Sequence, residues 1–406
     1  MHYLITNKDI WINSLYSHNL RKRVIAIGIG VIIIFLLSGI GIIVLINNML
    51  FPDTSVQNRD IELNFNPANA YTSVKNQTQD IGYRIPGTEG SRKCMQYFIS
   101  EFQKIDTNFT YFYHNFTVNE TDCSNVLFKM NEGYDNIVIL GAHFDSRAKA
   151  TKDSENRSAP VPGANDGASG CAVLLELARV LYQKRQNLSC EIWFLFFDAE
   201  DQGEDNDYGI KGWDWCEGSN RFLDEIDLFY DSSQEDFDCM LLLDMVGGIN
   251  LEFINELYST SSLLDELFAT GRQLGYTSTF PESATNNRII DDHKPFMEFG
   301  IPSADLIINF WNNPSWPYHH TTEDNLTYIS EQSLEITGKT VEQFIYNNYY
   351  NESNTYYRSN YPWSVDNDYY WVDLPSQIII YSFSVVIIGL IILGLKIKSS
   401  NGIQDK

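Results

Sequence analysis

Apolar residues along the chain fall into three patterns. Two long runs carry no charge, over residues 24–46 and 378–395. Four short continuous runs stand at 136–141, 192–197, 240–243 and 304–308. Around them, apolar positions recur every three to four residues over 91–105, 168–183, 261–274 and 330–346, the period of an amphipathic helix. A short strand apolar at every position suits burial on both faces, as in a parallel sheet covered by helices. Strands alternating with helices therefore predict an α/β domain over 81–346, with a mainly parallel central sheet flanked by helices. In such sheets ligands bind on loops beyond the carboxyl ends of the strands.

The long runs are of membrane length. Residues 24–46 would form about 34 Å of helix and 378–395 about 27 Å, against a hydrocarbon core of about 30 Å. No small-x-small cleavage site follows the first run, so it is expected to be retained and not removed as a signal peptide. Lys8, Arg21, Lys22 and Arg23 precede the first run, and Lys396, Lys398 and Lys406 lie after the second. The positive-inside rule then predicts a two-pass protein attached to the membrane through two transmembrane helices, 24–46 and 378–395. Segments 1–23 and 396–406 would be cytoplasmic. Everything between the spans would lie outside: a polar lead-in at 47–80, the α/β domain at 81–346 and an aromatic-rich linker at 347–377.

Eight N-x-[ST] sequons, at Asn76, Asn108, Asn115, Asn119, Asn156, Asn187, Asn325 and Asn351, all fall in the middle segment. So do the six cysteines, Cys94, Cys123, Cys171, Cys190, Cys216 and Cys239. The set fits an exposed, glycosylated ectodomain, where an even cysteine count permits up to three disulfides. No Cys-x-x-Cys pair occurs, which argues against a thiolate zinc site or a redox motif. Lys+Arg number 28 against 53 Asp+Glu, a net charge of -25. A nucleic-acid partner is not expected, since it would need a basic face to displace counterions.

Chemistry concentrates where the short runs end. The run at 136–141 leads into His143-Phe144-Asp145. The next leads into Asp198-Ala199-Glu200-Asp201, and the third into Asp244. A glycine-bracketed loop carries Asp166 just before a helix, and a later loop carries His319 and His320. One loop acid is ordinarily a solvated group or a helix cap. Several acids at one buried edge would be costly without a cation. Carboxylate with imidazole is the ligand set of catalytic zinc.

Taken together, these segments resemble the glutaminyl-peptide cyclotransferase family and its relatives, the co-catalytic zinc aminopeptidases. The matching pieces are YRIPGT, GAHFDS, GANDGASGCAVLLELAR, FFDAED, LLLDMVG, IIDDHKPFMEFGIP and HHTTEDN, in the family's order over about 81–346. The resemblance implies a zinc aminopeptidase-like fold. It gives Asp166, Asp201 and His320 as zinc ligands and Glu200 as general acid/base. His143 and Asp244 match the positions that hold a second zinc in the aminopeptidases, so one ion is expected for a cyclase and two for a peptidase. Asp201 is Glu in many relatives.

Asp291, ahead of Asp292-His293, is Ser in many aminopeptidases and Asp in cyclotransferases, where it joins an acid network with the counterparts of Glu200 and Asp244. The favoured expectation is conversion of an N-terminal Gln of peptides or proteins to pyroglutamate with release of ammonia. The alternative is an aminopeptidase. A remoter one is a receptor-like ectodomain, which would be expected to have lost ligands, and none is missing here. Two departures stand out. Ala142 removes a disulfide to Cys171 found in many animal members, and His319 replaces the Trp that precedes the ligand His. Aromatic recognition of substrate then falls to Trp213, Trp215, Trp311 or Trp316.

Overall fold

The computed structural model describes residues 57–204, 209–311, 313–350 and 363. The expected spans at 24–46 and 378–395 and both tails lie outside the described residues. Among the described residues no helix is long and apolar enough to cross a membrane.

The elements run α1 (Pro67–Lys75), a π-helical turn (Asn76–Ile81), α2 (Glu89–Ile105), β1 (Thr110–Val118), β2 (Thr121–Met130) and β3 (Asn136–His143). Then follow α3 (Ala168–Gln183), β4 (Glu191–Phe197), α4 (Glu217–Asp224), β5 (Asp236–Asp244), β6 (Asn255–Glu256) and α5 (Ser261–Gln273). The last are β7 (Asn286–Asn287), α6 (His293–Phe299), β8 (Ser303–Ile307) and α7 (Glu331–Tyr349). The four expected strands and four expected helices are all present, within a few residues of their anticipated limits.

The main sheet has the order β1-β2-β4-β3-β5-β8. Strands β4, β3, β5 and β8 are parallel, and β1 and β2 add an antiparallel hairpin at one edge. From β3 the chain crosses to β4 on one side, whereas β5 leads on to β8 on the other. Connections that diverge in this way leave a crevice beyond the carboxyl ends of β3 and β5.

Alternate residues of each central strand enter different cores. Val138, Leu140, Phe194, Phe196, Leu241 and Leu243 join one, which α1, α2, α3, α5 and α7 complete. Ile137, Ile139, Trp193, Leu195, Met240 and Leu242 join the other, with Phe222 of α4 and Phe296 of α6. Both faces are covered, which is why these strands read as unbroken apolar runs. The edge strand β1 buries only His114 and Val118, so no such run marks it.

Two outer segments are more tightly built in than their polarity suggested. Within the lead-in expected at 47–80, Asn66 caps α1 by accepting from the Ala68 amide at 3.0 Å. Glu342 of α7 accepts from the amides of Asn64 and Phe65, and Glu176 of α3 from that of Asn66. Ala70 and Val74 are buried. Two apolar contacts in nine residues are too few to show as a period. At the other end, Tyr349 and Trp363 of the expected linker are buried in the main core. All six cysteines are buried free thiols, so none of the permitted disulfides is formed.

Candidate active site

The sheet sets the first-order positions. His143 ends β3, Asp244 ends β5, and Glu200 and Asp201 follow β4. Asp166 stands two residues before α3, and His320 lies in the loop leading to α7. Two glycines let α3 approach this edge. A Cβ at Gly167 would fall 2.3 Å from the His143 carbonyl oxygen and 2.5 Å from its Nε2. At Gly170 it would fall 2.0 Å from the carbonyl oxygen of Leu243. Only glycine admits such contact, and it is what brings Asp166 against His143.

Asp166 sits between two groups of potential ligands. Its Oδ1 is 3.1 Å from His143 Nε2, which is also 3.1 Å from Asp244 Oδ1. Its Oδ2 is 3.6 Å from His320 Nε2 and 4.0 Å from His319 Nε2. Asp201 Oδ1 lies 2.9 Å from His320 Nε2. Ligand atoms of Asp166, His319 and His320 all lie within 4.8 Å of one another, as do those of His143, Asp166 and Asp244. Asp201 Oδ2 is buried with no hydrogen-bond partner among the described residues. An orphaned carboxylate oxygen facing an imidazole–carboxylate cluster is a group built to meet a cation, and the donor set fits zinc. The shorter Asp at position 201 thus still reaches His320.

Neighbouring groups hold these side chains in place. Asp145 accepts from the amides of Glu200 (3.0 Å) and Asp201 (3.1 Å), which fixes the acidic turn after β4. Its Oδ1 is 3.4 Å from His143 Nδ1. Asp324 accepts from the amides of Asn165 (2.8 Å) and Asp166 (3.1 Å). Arg147, fully buried, donates to the Asp201 carboxylate at 3.2 Å and to its carbonyl oxygen at 2.7 Å. Ala199 (φ 62°), Met245 (φ 48°) and His320 (φ 57°) adopt left-handed backbone. That costs a non-glycine residue on the order of 1 kcal/mol, and such residues gather at functional sites.

Burial dominates the electrostatics. It pushes Glu200 well above the ordinary carboxylate range; His143 opposes the shift, and the charges of Asp291, Asp201 and Asp292 add to it. Burial, reinforced by Asp244, raises Asp291 to about 8. Asp244 is raised to about 6, again by burial, with His143 opposing. Burial would raise Asp166 too, but the hydrogen bond and charge of His143 hold it below its usual value. The two flanking imidazoles differ. Burial, aided by Arg147, drives His320 well below its usual value and keeps it neutral. Burial also disfavours the charge on His143, but the carboxylates of Asp145, Asp166 and Asp244 beside it outweigh burial and raise it well above its usual value.

Above the cluster lies a cavity of about 310 Å³, whose lining includes Asp166, Glu200, Asp201, Asp244, Asp291 and His320. The structure divides the four tryptophans. Trp215 lines this cavity, its ring parallel to that of His320 with centroids 5.9 Å apart. Trp311 lines it at the mouth and is 57% exposed. Trp316 is fully buried in the main core, against Gly248 and Tyr318, and Trp213 packs in a small cluster with Val118 and Ala199. Neither is among the residues lining this cavity; both rings are buried in packing. The sequence reading assigned no role to Arg147, Asp145 or Asp305. Asp145 and Arg147 flank the first motif, which was the available signal. Asp305 is buried inside β8, and with Asp291 and His293 it forms a further group of closely spaced potential ligands.

A helix-covered, mainly parallel sheet with an imidazole–carboxylate cluster beyond its carboxyl edge is the fold and site arrangement of the zinc aminopeptidase-like class. The family model described as Peptidase family M28 matches residues 125–345, more than half of the chain. The chain belongs to that family, within the zinc aminopeptidase-like superfamily, and its metal is zinc. A solved zinc-dependent exopeptidase from Parabacteroides distasonis is similar at a TM-score of 0.63 and 30% identity, covering 70% of this chain and 99% of that one. A glutaminyl cyclase from Bacteroides thetaiotaomicron, solved with N-acetylhistamine, gives 0.62 and 31%, with 70% and 99% covered. Aminopeptidase YwaD of Bacillus subtilis is 30% identical over 223 residues, 53% of this chain and 42% of that protein. The chain thus spans less than half the length of that relative. The solved exopeptidase and the solved cyclase match this chain about equally, at TM-scores of 0.63 and 0.62.

Proposed function

We propose that this zinc enzyme is a membrane-anchored glutaminyl-peptide cyclotransferase. The observation that carries the reading is Asp291. It lines the cavity, is buried, and belongs to a carboxyl cluster with Glu200 and Asp244. Like charges so close cannot all ionise, so the cluster retains protons at neutral pH. Retained protons suit a reaction that takes one proton from an amine and delivers one to a leaving group.

Cyclisation needs that exchange. The substrate's α-amine nitrogen bonds to its own γ-carbonyl carbon, the bond from that carbon to the amide nitrogen breaks, and one proton passes from the amine to the departing ammonia. Asp166, Asp201 and His320 would hold zinc, whose chemistry here is Lewis-acid polarisation of the γ-carbonyl. In its ionised form Glu200 accepts the amine proton and returns it to the leaving nitrogen. The charges of Asp291, Asp201 and Asp292 raise the proton affinity of Glu200, and that of Asp244 raises Asp291 in turn. The cavity walls fold the glutamine side chain over its amine, which supplies much of the rate because attack is intramolecular.

One observation favours a second reading. His143, Asp166 and Asp244 form a second group that would hold an ion, and Asp166 belongs to both groups. A two-zinc site would suit an aminopeptidase. The two chemistries separate in one assay. The enzyme is expected to release ammonia from Gln-peptides above the spontaneous rate, with a mass loss of roughly 17 Da and the first peptide bond intact. Asp291→Ser should keep its zinc and lower this rate on the order of 10²-fold. Release of Leu from Leu-amide, with Gln-peptides at background, would transfer the assignment to the peptidase.

The anchored, outward-facing arrangement rests on the uncharged runs and their basic flanks. Asn108, Asn115, Asn119, Asn156 and Asn187 are exposed sequons, as glycosylation outside the cytoplasm requires. Protease added to intact cells is expected to digest the middle of the chain and spare epitope tags at both ends. Protection of the middle would reverse the topology.

A further inference from the structure

Charge is segregated within the cavity. Its acidic lining residues, Asp166, Glu200, Asp201, Asp244 and Asp291, are all buried at the floor. Its two cationic lining residues, Lys152 and Arg288, are both exposed. They reach the mouth from different parts of the chain. Lys152 follows β3; its amide donates to the His320 carbonyl oxygen at 3.1 Å, and its Nζ lies 2.6 Å from His319 Nδ1 and 5.2 Å from the Trp311 ring centroid. Arg288 lies just after β7, three residues before Asp291. In a chain with 53 acids and 28 bases, a mouth that places two cations and no exposed acid in the lining is a local reversal of sign.

We propose that Arg288 and Lys152 form a carboxylate-binding subsite for the peptide beyond its first residue, so that substrates with a carboxylate close to their N-terminus are preferred. The inference rests on the reading of the cavity as a site for peptide N-termini. The α-amine and first side chain occupy the acidic, zinc-binding floor, which leaves the second and third residues at the mouth. There a carboxylate meets two fixed positive charges beside the exposed Trp311 and Ile290. The carboxylate has two sources: an Asp or Glu side chain, or the free C-terminus of a di- or tripeptide. Guanidinium suits a carboxylate through paired N–H donors, so Arg288 is the principal determinant of this selectivity.

Exposed pairs of this kind are individually weak, so the two together should change kcat/KM on the order of 3- to 10-fold. The test is a matched series on the zinc-loaded full chain: Gln-Glu-Ala-amide, Gln-Ala-Ala-amide, Gln-Lys-Ala-amide and Gln-Ala with a free carboxylate. A parallel series begins with Leu and is read by amino-acid release. The expected order is Glu above Ala above Lys, carried by KM, with Arg288→Glu collapsing or inverting the Glu-to-Lys ratio. The Gln-Ala arm shows whether a C-terminal carboxylate serves as well as a side chain. Equal kcat/KM across the series, or a ratio that Arg288→Glu leaves intact, overturns the subsite.

Whether the Gln or the Leu series turns over tests the chemistry, and the ratio within the active series tests the subsite, so the two failures are distinct. Should neither series turn over, competition of the same peptides against a fluorescent Gln-Glu peptide bound to the protein reads the preference directly. Equal competition then overturns it.

Discussion

Glu200→Gln is expected to bind zinc as the parent protein does and to cyclise N-terminal glutamine on the order of 10²- to 10⁴-fold more slowly. The amide keeps the size and polarity of the side chain but cannot take up the amine proton. Glu200 lies in the turn after β4 whose amides are held by Asp145, and that clamp acts on backbone that the substitution leaves alone. The check is single-turnover kinetics beside zinc analysis of the same sample. A normal rate at full zinc occupancy would remove Glu200 from the chemistry. Loss of zinc together with rate would mean that it acts through the metal site.

Asp166→Ala is expected to abolish zinc binding and activity together, and His320→Ala to do the same. Asp166 has the wider consequence because its two oxygens face both ligand groups. The same dependence appears on chelation. Zinc at a thousand times its dissociation constant contributes about 4 kcal/mol of folding free energy, so stripping it should lower Tm by several degrees or more.

The gap should widen with pH. Burial raises Asp244 to about 6 in the metal-free protein, above its value in the unfolded chain. Between the ordinary carboxylate range and about pH 6, the folded metal-free form therefore binds more protons than the unfolded form, and its stability falls as pH rises. A bound cation favours the ionised carboxylates and removes that loss. Thermal melts with zinc and with chelator at pH 5 and pH 7.5 should show the larger difference at pH 7.5. An equal or smaller difference there would show that the acid cluster does not feel the metal.

Much of this protein was legible in its sequence, for identifiable reasons. The central strands bury both faces, so β3, β4 and β5 stood out as unbroken apolar runs. Each run ended at a residue of the site because the carboxyl edge of a parallel sheet is where polar groups can emerge. His143, Glu200, Asp201 and Asp244 were marked by that position, whereas Asp166 and His320 lie in loops and stood out through the family resemblance. What escaped had no local signature. Strand β1 faces solvent on one side and shows no such run. Helix α1 is held by backbone donors to Glu176 and Glu342, acids more than a hundred residues away. Trp215 and Trp316 are alike in composition and in loop context. Only the folded chain places one beside His320 and the other under Gly248.

The sequence by itself determined the layered fold and the residue types of the site, because both follow from short-range patterns of burial and chemistry. The tertiary structure alone decided that one oxygen of Asp166 meets His143 while the other faces His320, and that Arg147 reaches Asp201. It also decided that the cavity is acidic at its floor and basic at its mouth. Each of these is a distance between segments far apart in the chain. Such distances are set by how α3 closes on the sheet through Gly167 and Gly170, and no local pattern encodes them.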